Sequence, residues 1–147
     1  MKHVDIYTDG ACSGNPGKGG WCAILICEGK EKPLSGGEAQ TTNNRMEVYA
    51  AIAGLSALKK EFKGTVSLYS DSAYLVNAVQ LKWLDNWRKR GWKTADNKPV
   101  KNKDLWEILS ALLSERDVTF IKVKGHADNV YNNRCDELAR AEIAKPE

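Results

Sequence analysis

The sequence predicts an α/β domain in which helices pack on a mixed β-sheet. Three β-rich stretches separated by turn residues come first, and helix-like and strand-like stretches then alternate to the end of the chain. The early, turn-rich links favour an antiparallel meander, whereas the later links are long enough for parallel crossovers. The chain has 147 residues, the length of one domain, and contains no internal repeat or linker.

The first three strands are predicted from β-branched and aromatic residues that stand between turn residues. The first covers residues 3–9 and ends at Asp9, because residues 10–20 contain five glycines and a proline and should form a turn or loop. The second strand covers Trp21 to Cys27, and the third covers roughly 32–38.

A first helix is predicted over about 44–60, because the polar cluster Thr41-Thr42-Asn43-Asn44 before it is typical of a helix start. Its apolar residues recur at spacings of three and four and therefore share one face. A fourth strand covers 65–70 and stops just before Asp71, and a shorter helix follows over about 72–79.

The same alternation continues after a basic stretch. Apolar residues at helical spacing from 105 to 112 predict a helix, for which Asn102 is a plausible N-cap. A fifth strand is predicted over 118–123, a polar loop over 124–132 and a last helix over 133–145.

Four acidic residues stand where a sheet of this kind builds sites, at the carboxyl ends of strands and on neighbouring helices. Asp9 and Asp71 end two strands of the same local form, YTDG and YSDS, and meet if these strands are parallel neighbours. Glu47 lies on the apolar stripe of its helix, where an unpaired carboxylate would be costly. Asp136 lies in the first turn of the last predicted helix.

Each acid also has a structural interpretation. Asp9 could start a turn, Asp71 could cap the next helix, and Asp136 could complement a helix dipole. Glu47 could be a structural acid that a hydrogen-bond partner satisfies. Carboxylates that converge, however, repel one another and raise their own pKa values, and divalent cations relieve this repulsion. Because oxygen ligands favour Mg²⁺ or Mn²⁺ over zinc, the four acids indicate a site for two-ion phosphoryl displacement.

Positive charge is concentrated in residues 82–106. This segment has eight basic and three acidic residues, a net charge of +5 in a chain whose total is +3. It also holds four of the five tryptophans: Trp83, Trp87, Trp92 and Trp106. Basic side chains neutralise phosphates and aromatic rings stack on bases, so a polyanionic substrate would explain the segment. The tryptophans are as consistent with holding a subdomain to the body.

Several long motifs follow one another along nearly the whole chain: YTDGACSGNPG, TTNNRMEVYAAIAGLSALK, LYSDSAYL, WLDNWRKRGWKTADNKPVKNKDLW, VKGHA and NNRCDELAR. With these motifs the sequence resembles ribonuclease H of the bacterial type-1 form. The stretches TTNNRME, GWKTADNKPVKN and RCDELAR are long and specific, so chance does not explain the similarity.

The resemblance implies a ribonuclease H-like fold, a five-stranded mixed sheet with helices on both faces. Strands 1 to 3 would be antiparallel, and strands 1, 4 and 5 parallel. It also implies endonucleolytic cleavage of the RNA strand of RNA–DNA hybrids, including RNA primers and R-loops, to give 5′-phosphate and 3′-hydroxyl ends. Two Mg²⁺ ions would be the cofactors, with Mn²⁺ as a substitute.

The resemblance also assigns roles at the active site. Asp9, Glu47, Asp71 and Asp136 match the four metal-binding acids of the family, and Asp9 would bridge the two ions. His126, in KGHA, matches a loop histidine to which the family assigns proton transfer or product release. From its own sequence context alone, His126 could equally be an idle surface residue.

The remaining matches concern the substrate. The residues at positions that contact the 2′-hydroxyls of the RNA strand are Cys12, Asn15, Asn43 and Glu47. Thr42 and Asn102 fall on positions that hold a phosphate of the DNA strand, and Asn44 belongs to the same motif. Residues 82–106, called the handle below, match a basic protrusion that binds the DNA strand. Trp87 would be its contacting aromatic, and its other substrate-binding residues would be Trp83, Arg88, Lys89, Arg90, Trp92 and Lys98.

Two departures from the family are visible. Ala73 stands where relatives often carry glutamine, so one substrate hydrogen bond is absent or replaced. The loop after His126 reads ADNVYNNR, without the glycine and proline of some relatives, which puts the mobility of the histidine loop in doubt.

A transposase or integrase core, or an exonuclease, would share the acids but not the handle sequence. A non-catalytic hybrid-binding module would be expected to lose an acid, and all four are present.

The composition restricts the remaining possibilities. Four cysteines (Cys12, Cys22, Cys27 and Cys135) match no zinc-binding spacing and are expected to be free thiols in a reducing compartment. No stretch approaches the roughly 18 apolar residues of a membrane span, and the N-terminus lacks the apolar region of a signal peptide. We therefore expect a cytoplasmic monomer with no membrane contact and no small-molecule cofactor.

Overall fold

A computed structural model describes residues 2–124 and 129–146. These residues form five strands: β1 (His3–Gly14), β2 (Gly17–Cys27), β3 (Lys30–Thr41), β4 (Thr65–Ser70) and β5 (Asp117–Lys122). They also form five helices: α1 (Asn43–Ser56), α2 (Ala73–Gln80), α3 (Trp83–Lys89), α4 (Lys103–Ser114) and α5 (Val130–Ala144).

The strands form one sheet in the order β3-β2-β1-β4-β5. The pairs β1–β2 and β2–β3 are antiparallel, whereas β1–β4 and β4–β5 are parallel. The predicted mixed sheet is therefore confirmed, including the direction of each pair. Because β1 is the central strand, it connects the antiparallel half of the sheet to the parallel half.

The two faces of the sheet bury different side chains. On one face, alternate residues of β1 such as Val4 and Ile6 pack with Leu55 of α1 and Leu68 of β4 in the main core. On the other face, Cys22, Ile24, Cys135 and Ala139 form a smaller core between β2 and α5. The sheet is thus fixed between α1 and α5, the helices that carry Glu47 and Asp136.

Most of the glycine-rich stretch 10–20 is strand, and only residues 15–16 form a turn, so the prediction that the first strand ends at Asp9 is wrong. Strand β1 continues to Gly14, and β2 begins at Gly17. A Cβ on Gly10 would lie 2.5 Å from the backbone nitrogen of Glu47, and one on Gly20 would lie 2.1 Å from the carbonyl oxygen of Ala139. These glycines allow a helix to approach each face of the sheet closely.

Several predicted boundaries shift by a few residues. Helix α1 ends at Ser56 rather than near 60, because the Arg116 guanidinium binds carbonyl oxygens at Lys59 (2.9 Å) and Phe62 (2.8 Å) where the chain turns toward β4. Helix α5 begins at Val130 rather than 133, with the Asn129 side chain as its cap.

The third strand is longer than predicted, and β5 begins one residue earlier. The four cysteines are free thiols, as expected. No helix in the described part of the chain is long and apolar enough to cross a membrane.

Candidate active site

The parallel pairing of β1 with β4 brings Asp9 and Asp71 to the same place in the sheet. Tyr7 is the register partner of Tyr69, and each aspartate follows its tyrosine by two residues. The similar local sequences YTDG and YSDS thus occupy equivalent positions on neighbouring strands, as the sequence predicts. Asp9 is buried, whereas Asp71 is partly exposed.

Glu47 reaches this place from α1. The helix begins after Thr42, whose hydroxyl accepts a hydrogen bond from the backbone N–H of Arg45 (3.2 Å). Glu47 lies in the second turn and is only 5% exposed. The absence of a side chain at Gly10 lets the helix backbone touch β1 beside Asp9, so the two carboxylates become neighbours.

Carboxylate oxygens of Asp9, Glu47 and Asp71 all lie within 4.8 Å of one another. They line a cavity of about 210 Å³ together with Gly10, Asn43, Asn132, Asn133 and Asp136. Asn132 and Asn133 were not predicted as site residues, because a polar loop was predicted where α5 begins. The two asparagines follow the helix start by two and three residues, which is why they reach the cavity.

Asp136 lines the same cavity but is not part of the three-carboxylate group. It belongs to the second turn of α5, so its predicted place in the first turn is wrong. One carboxylate oxygen forms an ion pair with the Arg140 guanidinium at 2.7 Å. Among the described residues, the structure therefore brings three acids together and holds the fourth at the rim.

It is electrostatically unfavourable for all three carboxylates to be ionised at such short distances without a cation between them. Burial, followed by the charges of Asp71 and Asp136, raises the pKa of Asp9 from 3.8 to about 7, although hydrogen bonds from Glu47 and the Gly10 N–H oppose the rise. Burial and the charges of Asp9 and Asp71 raise the pKa of Glu47 well above its ordinary value.

The donor set fits a hard divalent cation. Glu47 Oε1 is fully buried and has no hydrogen-bond partner among the residues that the structure describes. A buried oxygen of this kind is costly unless a ligand satisfies it. The carboxylates offer only oxygen, which suits Mg²⁺, Mn²⁺ or Ca²⁺ better than zinc or copper.

Comparison with known proteins identifies the family. A family model described as RNase H matches residues 1–144. The chain is 61% identical over 142 residues to a Ribonuclease H of Chlorobaculum parvum, covering 97% of this chain and 96% of the relative. It is 60% identical over 144 residues to a Ribonuclease H of Moorella thermoacetica, covering 98% and 93%. The chain belongs to the ribonuclease H family.

Solved ribonuclease H structures share its fold. LC9-RNase H1, described as a type 1 RNase H with the type 2 active-site motif, is 27% identical with a TM-score of 0.87, over 98% of this chain and 73% of that one. LC11-RNase H1, solved in complex with an RNA/DNA hybrid, is 26% identical with a TM-score of 0.75, over 96% of each chain. The present protein is therefore a ribonuclease H in both sequence and fold.

The residues predicted to contact the RNA strand form a strip beside the acids. Cys12 lies on β1, and its Sγ donates a hydrogen bond to the carbonyl of Thr41 (3.4 Å). The Asn15 side chain accepts a hydrogen bond from the backbone N–H of Asn43 (3.1 Å), which joins the β1–β2 turn to the start of α1. Asn43 lines the acidic cavity, and Asn44 next to it is exposed.

The handle is joined to this strip by Arg45, which sequence reasoning missed. The Arg45 guanidinium donates two hydrogen bonds to the Asp104 carboxylate (2.9 and 2.7 Å) and one to Asn102 Oδ1 (3.2 Å). Asn102 in turn donates to the Tyr74 hydroxyl (3.0 Å). Asn102 has a left-handed backbone (φ 62°) and no capping bond, so it stands at the N-cap position of α4 without acting as the predicted cap.

The handle tryptophans divide into two groups. Trp106 is fully buried and donates a hydrogen bond to Tyr74, while Trp87 and Trp92 pack partly buried against the main core. These three rings therefore pack the handle against the body of the domain. Trp83 is 37% exposed and remains open to a ligand.

The predicted basic residues of the handle (Arg88, Lys89, Arg90 and Lys98) are all exposed. Arg88 pairs with Asp85 at 3.2 Å within α3. His126, the predicted loop histidine, lies outside the described residues.

The raised pKa of Asp9 makes the free energy of unfolding of the metal-free protein depend on pH. Folding raises the pKa from 3.8 to about 7, so in this interval the folded state holds a proton that the unfolded chain releases. Protonated Asp9 makes its full contribution to the free energy of unfolding below a pH of about 4. This contribution is lost as the pH rises through about 7. Asp9→Asn should therefore stabilise the metal-free protein by a few kcal/mol near pH 8 and by little near pH 4.

Urea unfolding in the presence of a chelator measures this difference. Asp117→Asn, which changes an exposed acid at the start of β5, is the matched control and should leave the pH dependence unchanged. Equal effects of both substitutions at all pH values would contradict the electrostatic account of the site.

Gly10→Ala should weaken cation binding and lower the free energy of unfolding by about 1–3 kcal/mol, because the new Cβ forces α1 away from β1. Gly29→Ala is the control, since nothing lies within 4 Å of a Cβ there and the only cost is strain at a φ of 78°. Calorimetric titration with Mn²⁺ checks both variants. Unchanged Mn²⁺ affinity in Gly10→Ala would show that this contact does not position Glu47.

Proposed function

We propose that this protein hydrolyses the RNA strand of RNA–DNA hybrids, including RNA primers and R-loops, and leaves 5′-phosphate and 3′-hydroxyl ends. The observation that carries the proposal is the cluster of three carboxylates, with a buried Glu47 oxygen that has no partner in the described chain. Membership of the ribonuclease H family and the likeness to a relative solved with an RNA/DNA hybrid support the choice of substrate.

Two Mg²⁺ ions are the proposed cofactors, with Mn²⁺ as a substitute. Asp9, Glu47, Asp71 and Asp136 would hold them, with Asp9 shared between the two, because these residues offer oxygen donors around one cavity. When bound, the ions supply an activated water and stabilise the negative charge of the departing 3′-oxygen.

The chain's own residues prepare this site in two ways. Burial raises the pKa values of both Asp9 and Glu47, so a cation that binds the ionised carboxylates would favour the release of protons from them. Asp136 is bound to Arg140, so it joins the set by exchanging that ion pair for the cation.

The substrate would lie across the strip and the handle. Cys12, Asn15, Asn43 and Glu47 are the proposed contacts to the RNA strand, and Asn43 and Glu47 line the cavity itself. Asn44 is a further proposed substrate contact. Thr42 and Asn102 are proposed to hold a phosphate of the DNA strand, and both contact Arg45 through its N–H groups. The duplex would continue over the handle, where the exposed candidate contacts are Trp83, Arg88, Lys89, Arg90 and Lys98 and the partly buried ones are Trp87 and Trp92.

We further propose that the chain works as a single domain and a cytoplasmic monomer. Three acids from one copy already form the carboxylate cluster, so the reaction needs no residue from a partner. His126 is proposed, from the resemblance, to assist late in the reaction near the departing group.

Cleavage of a hybrid labelled on both strands tests the proposed activity. The wild-type protein should cut only the RNA strand and only with Mg²⁺ or Mn²⁺, and Asp9→Asn should reduce cleavage below detection while the protein stays folded. Double-stranded DNA and double-stranded RNA serve as controls. Binding of the hybrid without cleavage under every divalent cation would instead mean a hybrid-binding module, and cleavage of the DNA strand a related DNA nuclease.

Replacement of Arg88, Lys89 and Arg90 by alanine should weaken hybrid binding and flatten its salt dependence. Each lost phosphate contact should lower the slope of log K against log salt by about 0.7–0.9. Alanine at Lys59, Lys60 and Lys63, which lie beyond the other end of α1, is the matched control and should leave the slope unchanged. Equal slopes for the wild type and the handle variant would show that the handle does not bind the substrate.

His126→Ala should slow turnover by about a hundredfold or more without abolishing it, because a side chain that assists proton transfer contributes on that scale. Single-turnover and steady-state rates on the hybrid distinguish an effect on chemistry from one on product release. Complete loss of cleavage would mean that the histidine is obligatory, and an unchanged rate that it is idle.

A further inference from the structure

Besides Asp136, helix α5 brings an uncharged side chain, that of Asn132, to the wall of the acidic cavity. The two residues are four positions apart, about one turn of helix, so their side chains share a face of α5. Both line the cavity of about 210 Å³. The backbone N–H of Asn132 donates a hydrogen bond to the Asn129 side chain at 3.0 Å. The amide of Asn132 is therefore carried on the capped first turn of a helix, beside the carboxylates.

The oxygen of this amide is buried and unsatisfied. Asn132 is only 2% exposed, and its Oδ1 has no hydrogen-bond partner in residues 2–124 and 129–146. A buried oxygen without a partner costs free energy, because it has lost its hydrogen bonds to water. Such a group in a folded protein points to a water or an ion that binds it.

The cavity has a second oxygen of this kind on its other side. The described chain has three buried side-chain atoms without a partner, and two of them belong to residues that line the cavity, Asn132 and Glu47. Their helices, α5 and α1, pack on opposite faces of the sheet. An occupant of the cavity must therefore offer hydrogen-bond donors or positive charge to both sides.

A hydrated divalent cation meets this requirement. Its charge binds the carboxylates, and the waters that it retains donate hydrogen bonds outward. Water alone could donate to Asn132 Oδ1, but it would not relieve the repulsion among Asp9, Glu47 and Asp71. An amide oxygen also adds no negative charge to a cavity that already holds four acids. The cavity therefore favours a cation that reaches Asn132 through its own water.

We propose that Asn132 is a positioning residue for the cation on the α5 side of the cavity, and that its Oδ1 accepts a hydrogen bond from a water bound to that cation. This role rests on the proposed cation site and adds to the four acids a neutral oxygen. Asp136 is already paired with Arg140, whereas no side chain in the described ranges occupies the Asn132 oxygen.

Substitution of Asn132 tests the oxygen directly. Asn132→Leu replaces the amide by an apolar group of similar shape and should weaken Mn²⁺ binding about tenfold, as the loss of groups around metal ligands does. Asn132→Asp keeps an oxygen there but has no N–H, and it should bind Mn²⁺ at least as tightly as the wild type. Calorimetric titration of the full chain with Mn²⁺ alone measures the affinities.

Asn77→Leu is the matched control. Asn77 is half-buried on α2 and does not line the cavity, so the same change there should leave Mn²⁺ affinity unchanged.

Urea unfolding separates this role from a merely structural one. With a chelator present, Asn132→Leu should unfold at the same urea concentration as the wild type or a higher one, because it removes an unpartnered buried oxygen. With Mn²⁺ added, its midpoint should rise less than that of the wild type, since weaker binding stabilises less. If Asn132→Leu does not fold, the wild-type protein serves, and the NMR signal of the Asn132 side-chain carbonyl carbon should shift when Mg²⁺ is added.

Four results would overturn the proposal. They are equal Mn²⁺ affinity of Asn132→Leu and the wild type, a lower midpoint of this variant with the chelator but an unchanged response to Mn²⁺, a loss of affinity in Asn132→Asp as large as in Asn132→Leu, and a carbonyl signal that Mg²⁺ does not shift. Absence of Mn²⁺ binding by the wild type would contradict the cation site itself and this role with it. Binding of Mn²⁺ without cleavage of the hybrid would contradict only the proposed activity and leave the role of Asn132 standing.

Discussion

The site depends on close contact between backbones. Helix α1 touches β1 at Gly10 and α5 touches β2 at Gly20, with no room for a Cβ at either position. These contacts place Glu47 of α1 and Asp136 of α5, from opposite faces of the sheet, at one cavity. Asp9 of β1 and Asp71, which follows β4, line the same cavity. Burial then makes each negative charge costly, and the large apolar core opposes that cost. The fold therefore holds the carboxylates in a buried, mutually repulsive arrangement, which a divalent cation would stabilise.

The handle is a rigid extension of the body. Its base is fixed by Arg45, which binds Asn102 and Asp104 from α1, and by Trp106, which is buried against Tyr74. The chain therefore holds its exposed basic residues at a set distance from the carboxylates. A duplex bound along both would be presented to the acids in one orientation, and Arg45 would link the two surfaces mechanically without touching the reacting phosphate.

The residues alone predicted the antiparallel meander of the first three strands and the acids of the site, because turn-rich links and the YTDG and YSDS patterns are local signals. The parallel pairing of β1 with β4 was predicted from the resemblance to ribonuclease H. The sequence did not predict the strand character of 10–20, since glycine marks a turn and a close approach equally well, and only packing against α1 and α5 distinguishes them. The start of α5 was missed because the residues around it, DNVYNN, are mostly polar and were assigned to a loop, whereas the Asn129 side chain caps the helix there. Arg45 was missed because its partners lie more than fifty residues away.

The parallel pairing of β1 with β4 also has a consequence for how the protein is made. The carboxylates lie on β1, α1, the end of β4 and α5, so no short stretch of chain contains the complete set. A nascent chain can form the antiparallel meander early, but the pairing of His3 with Thr65 and the docking of α5 must wait for distant residues. The full set of cavity acids therefore comes together only after α5 has been synthesised and has docked on the sheet.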